Sequence, residues 1–559
     1  MLNDKLIVKD EIIEEPRLVT RKETFTRMFT FDRSFTFDRT FTYDRRLSSG
    51  ATGFDSDEAW TRKLIDGYTK VAVQGNEGDI PIPLAFAQTK RFWQMMVFAG
   101  LIGGIIALSA IVFMNFAYEI PKLWIDNDEF STVESCQAYA GKKYWILVTF
   151  GAGVLVGFIR WVSSYPDDRP GVFKEINDCH VDSTHVPLTV LISLISLCGG
   201  ASLGPEQALT NLGGGIATYL MDRSPFDDDD KKLAVLSGMT AALGALFPSP
   251  MLGPLLVYEL GNPPKDYMES MIVLSFSGIV SFITYFTLSD NTYLERISQA
   301  YSHYAVAVKW EFEEWQLGTG FCIGLVGGAV AVLMILIIGI NKQFFYRVRS
   351  RLRKRNSLLG SIAPPAIAGI FIGCVNQALP LTVGSGDSAF NSLIKFGYQN
   401  ELSNKILVQS IIAKIFVLGA SMNSGFVGGF VFPQITIGIM CGIVTYNIFS
   451  DFMPFGLAVG CWMPAISAGI CPMPITLTLL SLFIFNFGLY QTAPIFVSTI
   501  TAYTLVCGSG LFGALVARAQ KNAQAPSTVN SPNVSKEDPS ESIRQSDFVV
   551  DSNRLYGRT

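Results

Sequence analysis

Long apolar segments recur along this chain and are separated by shorter polar stretches. Segments that match the length of a bilayer crossing include Phe92–Tyr118, Trp145–Val162, Tyr267–Ser289, Leu317–Ile340 and Ile406–Ala420. A helix needs about 20 mostly apolar residues to span the hydrocarbon core. With 49% hydrophobic and only 16% charged residues, the pattern predicts an all-α polytopic membrane protein.

Two apolar segments, 186–220 and 421–450, are interrupted by glycine and proline. The first contains Gly199–Glu206 and the second contains Gly428–Pro433. Both interruptions predict non-helical backbone that leads directly into a helix inside the membrane. Because paired broken helices in two halves of a chain are typical of inverted repeats, we expect an ion site where the two breaks meet.

Glu206 gives that site a candidate chemistry. The start of a helix presents free N–H groups and a partial positive charge, so it binds anions. A carboxylate at one helix start can occupy such a place itself and then yield it to a passing anion. Glutamate in the first turn of a helix also simply complements the helix dipole, but an ionisable residue inside a membrane is usually functional. We therefore predict an anion pore with Glu206 as its gate.

The polar ends and the loop charges predict the organisation of the chain. Residues 1–90 form a tail with a repeat of the type Phe-Thr-Phe-Asp-Arg and are expected to be mostly disordered, as are residues 521–559. Residues 91–520 form the membrane domain, with halves at about 92–289 and 317–519. The basic residues of a loop at Arg347–Arg355 place that loop and the N-terminus in the cytoplasm.

Other functional classes fit less well. The net charge of −4 argues against nucleic acid as a partner, and no motif for a metal or cofactor is present. Gly384–Asp387 is similar to a signature of intramembrane aspartyl proteases, but the second aspartate is missing, so we expect Asp387 to cap a helix that begins near Ser388.

A transporter for organic solutes would carry more intramembrane charge. Lys414 either adds positive potential near an anion path or extends to the cytoplasmic surface.

Three segments carry a resemblance to the CLC chloride channels and proton-coupled anion exchangers. Ser202–Glu206 resembles the family's Gly-Lys/Arg-Glu-Gly-Pro segment, and Gly428–Gly438 resembles its Gly-x-Phe-x-Pro-x4-Gly segment. Phe247–Glu259 is similar to the segment that follows the gate. The resemblance covers roughly residues 92–519 and implies the CLC architecture, an inverted repeat of tilted and broken helices.

The resemblance also assigns site residues. Glu206 takes the position of the gate, and the anion-binding positions fall on a second group of residues. These are Gly204, Pro205, Phe430, Val431, Pro170, Gly171 and Phe512. Pro170 replaces a serine and Phe512 replaces a tyrosine, so both side-chain hydroxyls expected at the inner anion are absent. Proline at the first position is associated in the family with nitrate handling, although Asp168–Gly171 also reads as an ordinary turn. Tyr503 is a weaker candidate for the tyrosine.

One further position bears on mechanism. Exchangers of the family usually carry a second, inward-facing glutamate, which falls here on Leu260, while Glu259 is expected to be a structural residue near a helix end. We therefore predict a passive channel for chloride or nitrate, with a proton-coupled exchanger as the alternative. The resemblance further implies a homodimer surrounded by membrane lipid, with one pore per subunit. The paired nucleotide-binding domains of many eukaryotic members are not expected.

Overall fold

The computed structural model describes residues 89–124, 130–138, 144–167, 171–247, 249–261, 263–264, 267–289, 310–511 and 513–514. These residues form seventeen α-helices and no strand, and three short 3-10 helices lie in the described connections. The predicted all-α architecture is confirmed. Most of the N-terminal tail, with its repeat, and the whole C-terminal tail, residues 521–559, lie outside the described residues.

Nine helices form the first part of the described chain. They are α1 (Lys90–Glu119), α2 (Val133–Gln137), α3 (Trp145–Val162), α4 (Val172–Asp178), α5 (Val186–Cys198), α6 (Glu206–Met221), α7 (Asp228–Leu246), α8 (Leu252–Leu260) and α9 (Tyr267–Leu288). Several begin with a side-chain cap. Thr89, for example, accepts a hydrogen bond from the N–H of Phe92 at the start of α1.

Eight helices form the second part. They are α10 (Trp315–Arg355), α11 (Ser357–Ala378), α12 (Phe390–Tyr398), α13 (Asn404–Ser424), α14 (Val431–Phe449), α15 (Phe455–Ala468), α16 (Pro474–Phe485) and α17 (Thr492–Tyr503). A π-helical turn, Thr504–Gly508, follows the last of them.

Seven of the described helices are long and apolar enough to cross a membrane, namely α1, α3, α9, α10, α11, α13 and α14. All five apolar runs singled out in the sequence fall within this group. Two helices were not singled out: α11 contains Pro364 and Pro365 within its run, and α14 lies in the segment 421–450, which is interrupted by glycine and proline. The break before α14 is confined to a few residues, so a helix of full length follows it.

The basic segment Arg347–Arg355 is helical, so its prediction as a loop was wrong. It continues α10, a helix of 41 residues, which is about 60 Å long at 1.5 Å per residue. The hydrocarbon core is only about 30 Å thick, so much of this helix lies beyond it. Arginine and lysine favour helix and complement the negative end of the helix dipole, which explains why the helix continues through the charges.

Glycine allows α3 and α11 to pack closely. A Cβ atom at Gly157 would lie 2.5 Å from Cα of Ile362, and one at Gly373 would lie 2.6 Å from Cα of Ile146. Lipid gives apolar side chains little reason to associate, so small residues that let backbones touch drive helix packing in membranes. This contact forms part of the frame around the two broken segments.

Candidate functional site

The two breaks in the helices lie side by side. The first, residues 199–205, separates α5 from α6, and the second, residues 425–430, separates α13 from α14. Gly204 and Gly429 form an antiparallel bridge, in which each N–H donates to the other's carbonyl oxygen at 2.8 Å. The expected meeting of two helix starts is therefore present in the structure.

Serine side chains fix each break to the opposite half of the chain. Ser421 Oγ in α13 accepts a hydrogen bond from the N–H of Ser202 at 3.2 Å. Ser196 Oγ in α5 accepts one from the N–H of Val427, also at 3.2 Å. The two hydrogen bonds are equivalent in the repeat, because Ser421 lies 225 positions after Ser196 and Val427 lies 225 positions after Ser202. The same offset separates Gly204 from Gly429 and Glu206 from Val431. The site is thus built as an inverted repeat down to single hydrogen bonds.

Glu206 occupies the start of α14. Its Oε1 accepts a hydrogen bond from the N–H of Val431 at 2.7 Å, and the residue is only 6% exposed. A Cβ atom at Gly204 or Gly429 would overlap the carboxyl group of Glu206, so both glycines are needed to make room for it. The carboxylate therefore lies where the helix end would otherwise receive an anion.

Phe430 joins a third helix start to this place. It is the N-cap residue of α14, and its ring meets that of Phe173 edge to face, with 5.3 Å between ring centroids. Phe173 lies in the first turn of α4, whose N-cap residue is Gly171. Of the predicted anion-binding residues, Gly204, Pro205, Phe430 and Val431 thus surround Glu206, and Gly171 begins the neighbouring helix.

The remaining predicted positions are not all visible. Pro170 and Phe512 lie outside the described residues, so their roles stay predictions. Tyr503, the weaker candidate, ends α17 and is partly buried.

Glu259 has the structural role expected of it. Both of its carboxylate oxygens accept backbone hydrogen bonds at the start of α16, from Ile475 at 2.8 Å and from Thr476 at 2.7 Å. The charge thereby satisfies free N–H groups of that helix. Leu260 ends α8 and packs against the apolar core.

Lys414 does not extend to a surface, so that interpretation was wrong. It is fully buried, and its Nζ donates to the carbonyl oxygens of Thr382 at 3.2 Å and Gly384 at 3.1 Å. Those acceptors belong to the turn between α11 and α12, within reach of the side chain.

The expectation for Asp387 was also wrong, since the N-cap of α12 is Ala389 without a side-chain cap and the Asp387 carboxylate instead accepts from Ser385 Oγ.

A charge cluster near the second break was missed from the sequence. Asp167, after α3, lies 3.1 Å from Arg160, 3.5 Å from Arg349 and 2.6 Å from Arg353. Burial alone would raise the pKa of Asp167, but the three guanidinium groups outweigh it and hold that pKa below its usual value. Arg160 and Arg349 also donate to the carbonyl oxygens of Gly425 and Ser424. Sequence spacing gave no sign of the pairs with Arg349 and Arg353, because these residues lie more than 180 positions after Asp167.

Comparison with known proteins identifies the architecture. The family model described as voltage gated chloride channel matches residues 169–506. The chain belongs to the voltage-gated chloride channel (CLC) family. The matched range contains both breaks, Glu206 and the charge cluster's Arg349 and Arg353.

Individual relatives of this CLC protein are distant. The voltage-gated ClC-type chloride channel ClcB of Salmonella typhimurium is 22% identical over 373 residues, which cover 65% of this chain and 82% of the relative. The H(+)/Cl(−) exchange transporter ClcA of Vibrio campbellii is 23% identical over 348 residues, 60% of this chain and 70% of the relative.

The fold is also that of a solved family member. The X-ray structure of a slow cyanobacterial Cl−/H+ antiporter aligns with a TM-score of 0.62 at 14% identity, covering 77% of this chain and 98% of the antiporter. The protein is therefore an integral, multi-pass membrane protein of a family that transports anions. Its family consists of channels and transporters rather than enzymes.

Proposed function

We propose that this CLC protein is a passive channel for small monovalent anions, chloride or nitrate, with Glu206 as its gate. The observation that carries the proposal is the hydrogen bond between the Glu206 carboxylate and the N–H of Val431. The Glu206 carboxylate, which is negatively charged like the permeant anion, is bound at the N-terminal end of α14. An anion can take that place only after the carboxylate leaves.

The chemistry of release follows from the donors. Protonation neutralises Glu206 and removes its attraction for the helix start. The N–H of Val431 and the backbone around Gly204 and Gly429 then face the anion. Backbone dipoles bind an anion more weakly than a fixed lysine would, which favours rapid passage.

The orientation and assembly belong to the same proposal. We place the N-terminus and the basic end of α10 in the cytoplasm, because basic residues accumulate on that side. The family resemblance supports a homodimer with a separate pore in each subunit.

The test of the gate is Glu206→Ala, studied in proteoliposomes. We expect wild-type anion flux to rise as the external pH falls from 7 to 5, because protonation releases the carboxylate. Glu206→Ala is expected to conduct at both pH values without this dependence, and so is Glu206→Gln, a neutral side chain of the same size. A folded Glu206→Ala protein that carries no anion, or a wild-type flux that is flat with pH, would refute the assignment.

Channel and exchanger are separated by measuring anion and proton flux together. The alternative is a proton-coupled exchanger, which the similarity to the ClcA exchange transporter and to the antiporter structure favours. Leu260 favours the channel, because leucine cannot relay a proton. We expect chloride efflux, and then nitrate efflux, without proton movement. Uphill proton transport driven by the anion gradient would establish the exchanger instead.

A further inference from the structure

Gln434 is a buried amide in the first turns of α14, close to the seat of Glu206. It is fully buried, and its own N–H donates to the carbonyl oxygen of Phe430 at 3.3 Å. Helical side chains tilt toward the N-terminus of their helix. The Gln434 side chain therefore lies over the turn that begins at Val431, whose N–H binds the gate carboxylate.

Cys471 fixes which end of the amide is free. Its thiol donates to Gln434 Oε1 with 3.7 Å between sulfur and oxygen, so the NH2 group is the other end. Cys471 follows α15 in the turn before α16, and it lies close enough to Glu206 for the two groups to interact electrostatically. The thiol, the amide and the gate carboxylate thus share one buried neighbourhood.

Two polar atoms in this neighbourhood have no partner. Within the described part of the chain, neither the donor Gln434 Nε2 nor the acceptor Glu206 Oε2 makes a hydrogen bond. A buried polar atom without a partner is costly, and native proteins rarely keep one without a function. A free donor beside a helix start is the arrangement that a further anion ligand requires.

We propose that Gln434 is a side-chain ligand of the permeant anion, with Nε2 donating to chloride or nitrate once Glu206 has left the start of α14. This role rests on the proposed function and adds a specific ligand to it. Cys471 acts as a positioning residue, because its thiol binds the amide oxygen and leaves the NH2 group to bind the anion. The amide also supplies a side-chain donor in a site where the family resemblance predicts that both usual hydroxyls are replaced.

Chloride binding to purified protein tests the role. In Glu206→Ala the carboxylate no longer competes, so calorimetry reports binding to the site itself. Adding Gln434→Met, which keeps length and burial but removes the donor, is expected to weaken chloride binding about tenfold, as for loss of a hydrogen bond to a charged group. Adding Cys471→Ala is expected to weaken it less.

Gln316→Met is the matched control. Gln316 is also buried, but its amide is satisfied, with Oε1 accepting from Trp310 at 2.9 Å and Nε2 donating to Glu311 at 3.0 Å. It lies at the start of α10, and its replacement is expected to leave the chloride affinity unchanged. An equal loss of affinity in this variant would mark the effect of Gln434→Met as general destabilisation and would overturn the proposal.

The outcomes distinguish a failure of the proposed anion site from a failure of the proposed role of Gln434. If Glu206→Ala binds no chloride, the proposed anion site itself is wrong. If Glu206→Ala binds chloride and Gln434→Met binds it equally well, only the role of Gln434 is wrong. A structure of Glu206→Ala with bromide answers the question without the second substitution. We expect a bromide within hydrogen-bond distance of both Gln434 Nε2 and the N–H of Val431, and a bromide away from the amide would overturn the proposal.

Discussion

At the residue scale, the two halves of the site differ at one decisive position. The inverted repeat relates Glu206 to Val431, 225 positions later, so one helix start carries a carboxylate and the other an apolar side chain. Val431 contributes its backbone N–H, which any residue except proline would supply. Gly204 and Gly429 contribute the absence of a side chain. The proposed gate therefore depends on one charge and on two positions without a Cβ atom.

The first prediction at this scale concerns Gly429→Ala. The three atoms nearest to the new methyl group all belong to Glu206, and each would overlap with it. The substitution should therefore displace the carboxylate from the start of α14. We expect raised anion flux at neutral pH and loss of the acid response. Flux assays in proteoliposomes at pH 7 and pH 5 measure both effects.

A double variant and a control sharpen that test. Because the clash is with Glu206 itself, Gly429→Ala combined with Glu206→Ala should behave like Glu206→Ala alone rather than additively. Gly104 lies in α1, and apart from its chain neighbours and the backbone of its own helix no atom lies within 4 Å of the Cβ that Gly104→Ala adds. Wild-type flux is therefore expected. Wild-type pH dependence in Gly429→Ala would show that the carboxylate does not need this space.

At the scale of elements, close packing of α3 on α11 depends on particular glycines rather than on glycine content. In α3, a Cβ atom at Gly157 would meet the backbone of Ser361 and Ile362. A Cβ atom at Gly151 in the same helix would meet nothing within 4 Å apart from its chain neighbours and the backbone of α3 itself. A membrane helix can carry a larger side chain at the second position and not at the first.

This difference predicts the stability of two matched variants. Gly157→Ala is expected to lower the melting temperature in detergent, since overpacking a close contact costs about 1–3 kcal/mol. Gly151→Ala is expected to leave it unchanged or raise it, because alanine favours helix over glycine by about 1 kcal/mol. Thermal unfolding followed by fluorescence-detected size-exclusion chromatography compares them. Equal melting temperatures would contradict the packing described for α3 and α11.

At the scale of the whole molecule, Asp167 joins the two halves near the second break. It follows α3 in the first half and pairs with Arg349 and Arg353 of α10 in the second. Arg160 and Arg349 also hold the carbonyl groups that precede the second break. The long α10 helix is therefore tied at its basic end to the loops that form the site.

The corresponding prediction is a stability loss in Asp167→Asn that depends on pH. The pKa of Asp167 is lowered in the folded protein, so its charge stabilises the fold above the ordinary carboxyl pKa, and this contribution disappears as pH falls through the folded value. We expect wild type to be more stable by about 1–3 kcal/mol at pH 7, as for hydrogen bonds to charged groups. The difference should shrink below about pH 4.

Melting temperatures across this pH range measure the difference. Asp451→Asn, at an exposed aspartate between α14 and α15, serves as the control and is expected to match wild type. A difference between wild type and Asp167→Asn that persists unchanged at pH 3 would show that shape, not charge, explains the role of Asp167.

The sequence predicted well wherever a local pattern carries the information. Apolar length predicted five of the seven helices that are long and apolar enough to cross a membrane. Glycine with proline predicted both breaks, since these properties act on neighbouring residues. The same reasoning failed at Arg347–Arg355, where charge indicated a loop although arginine and lysine are good helix formers. It left two interpretations of Lys414 open, and the one that placed the side chain at the cytoplasmic surface was wrong, because the carbonyl groups of Thr382 and Gly384 come into reach only through the packing of α13 on the turn after α11.

The sequence by itself determined the membrane class, the family and the identity of the glutamate at the start of α6, because each depends on hydrophobicity or on residues adjacent in the chain. Only the tertiary structure decided what that glutamate contacts. The N–H of Val431 and the space beside Gly429 come from a distant part of the chain. The same holds for Gln434, whose Nε2 is unpaired, and for Arg349 and Arg353 beside Asp167. The physical reason is that every residue except proline has a backbone N–H, so residue type does not show which N–H will bind the carboxylate. Folding alone brings that donor, and the space for the carboxylate, next to Glu206.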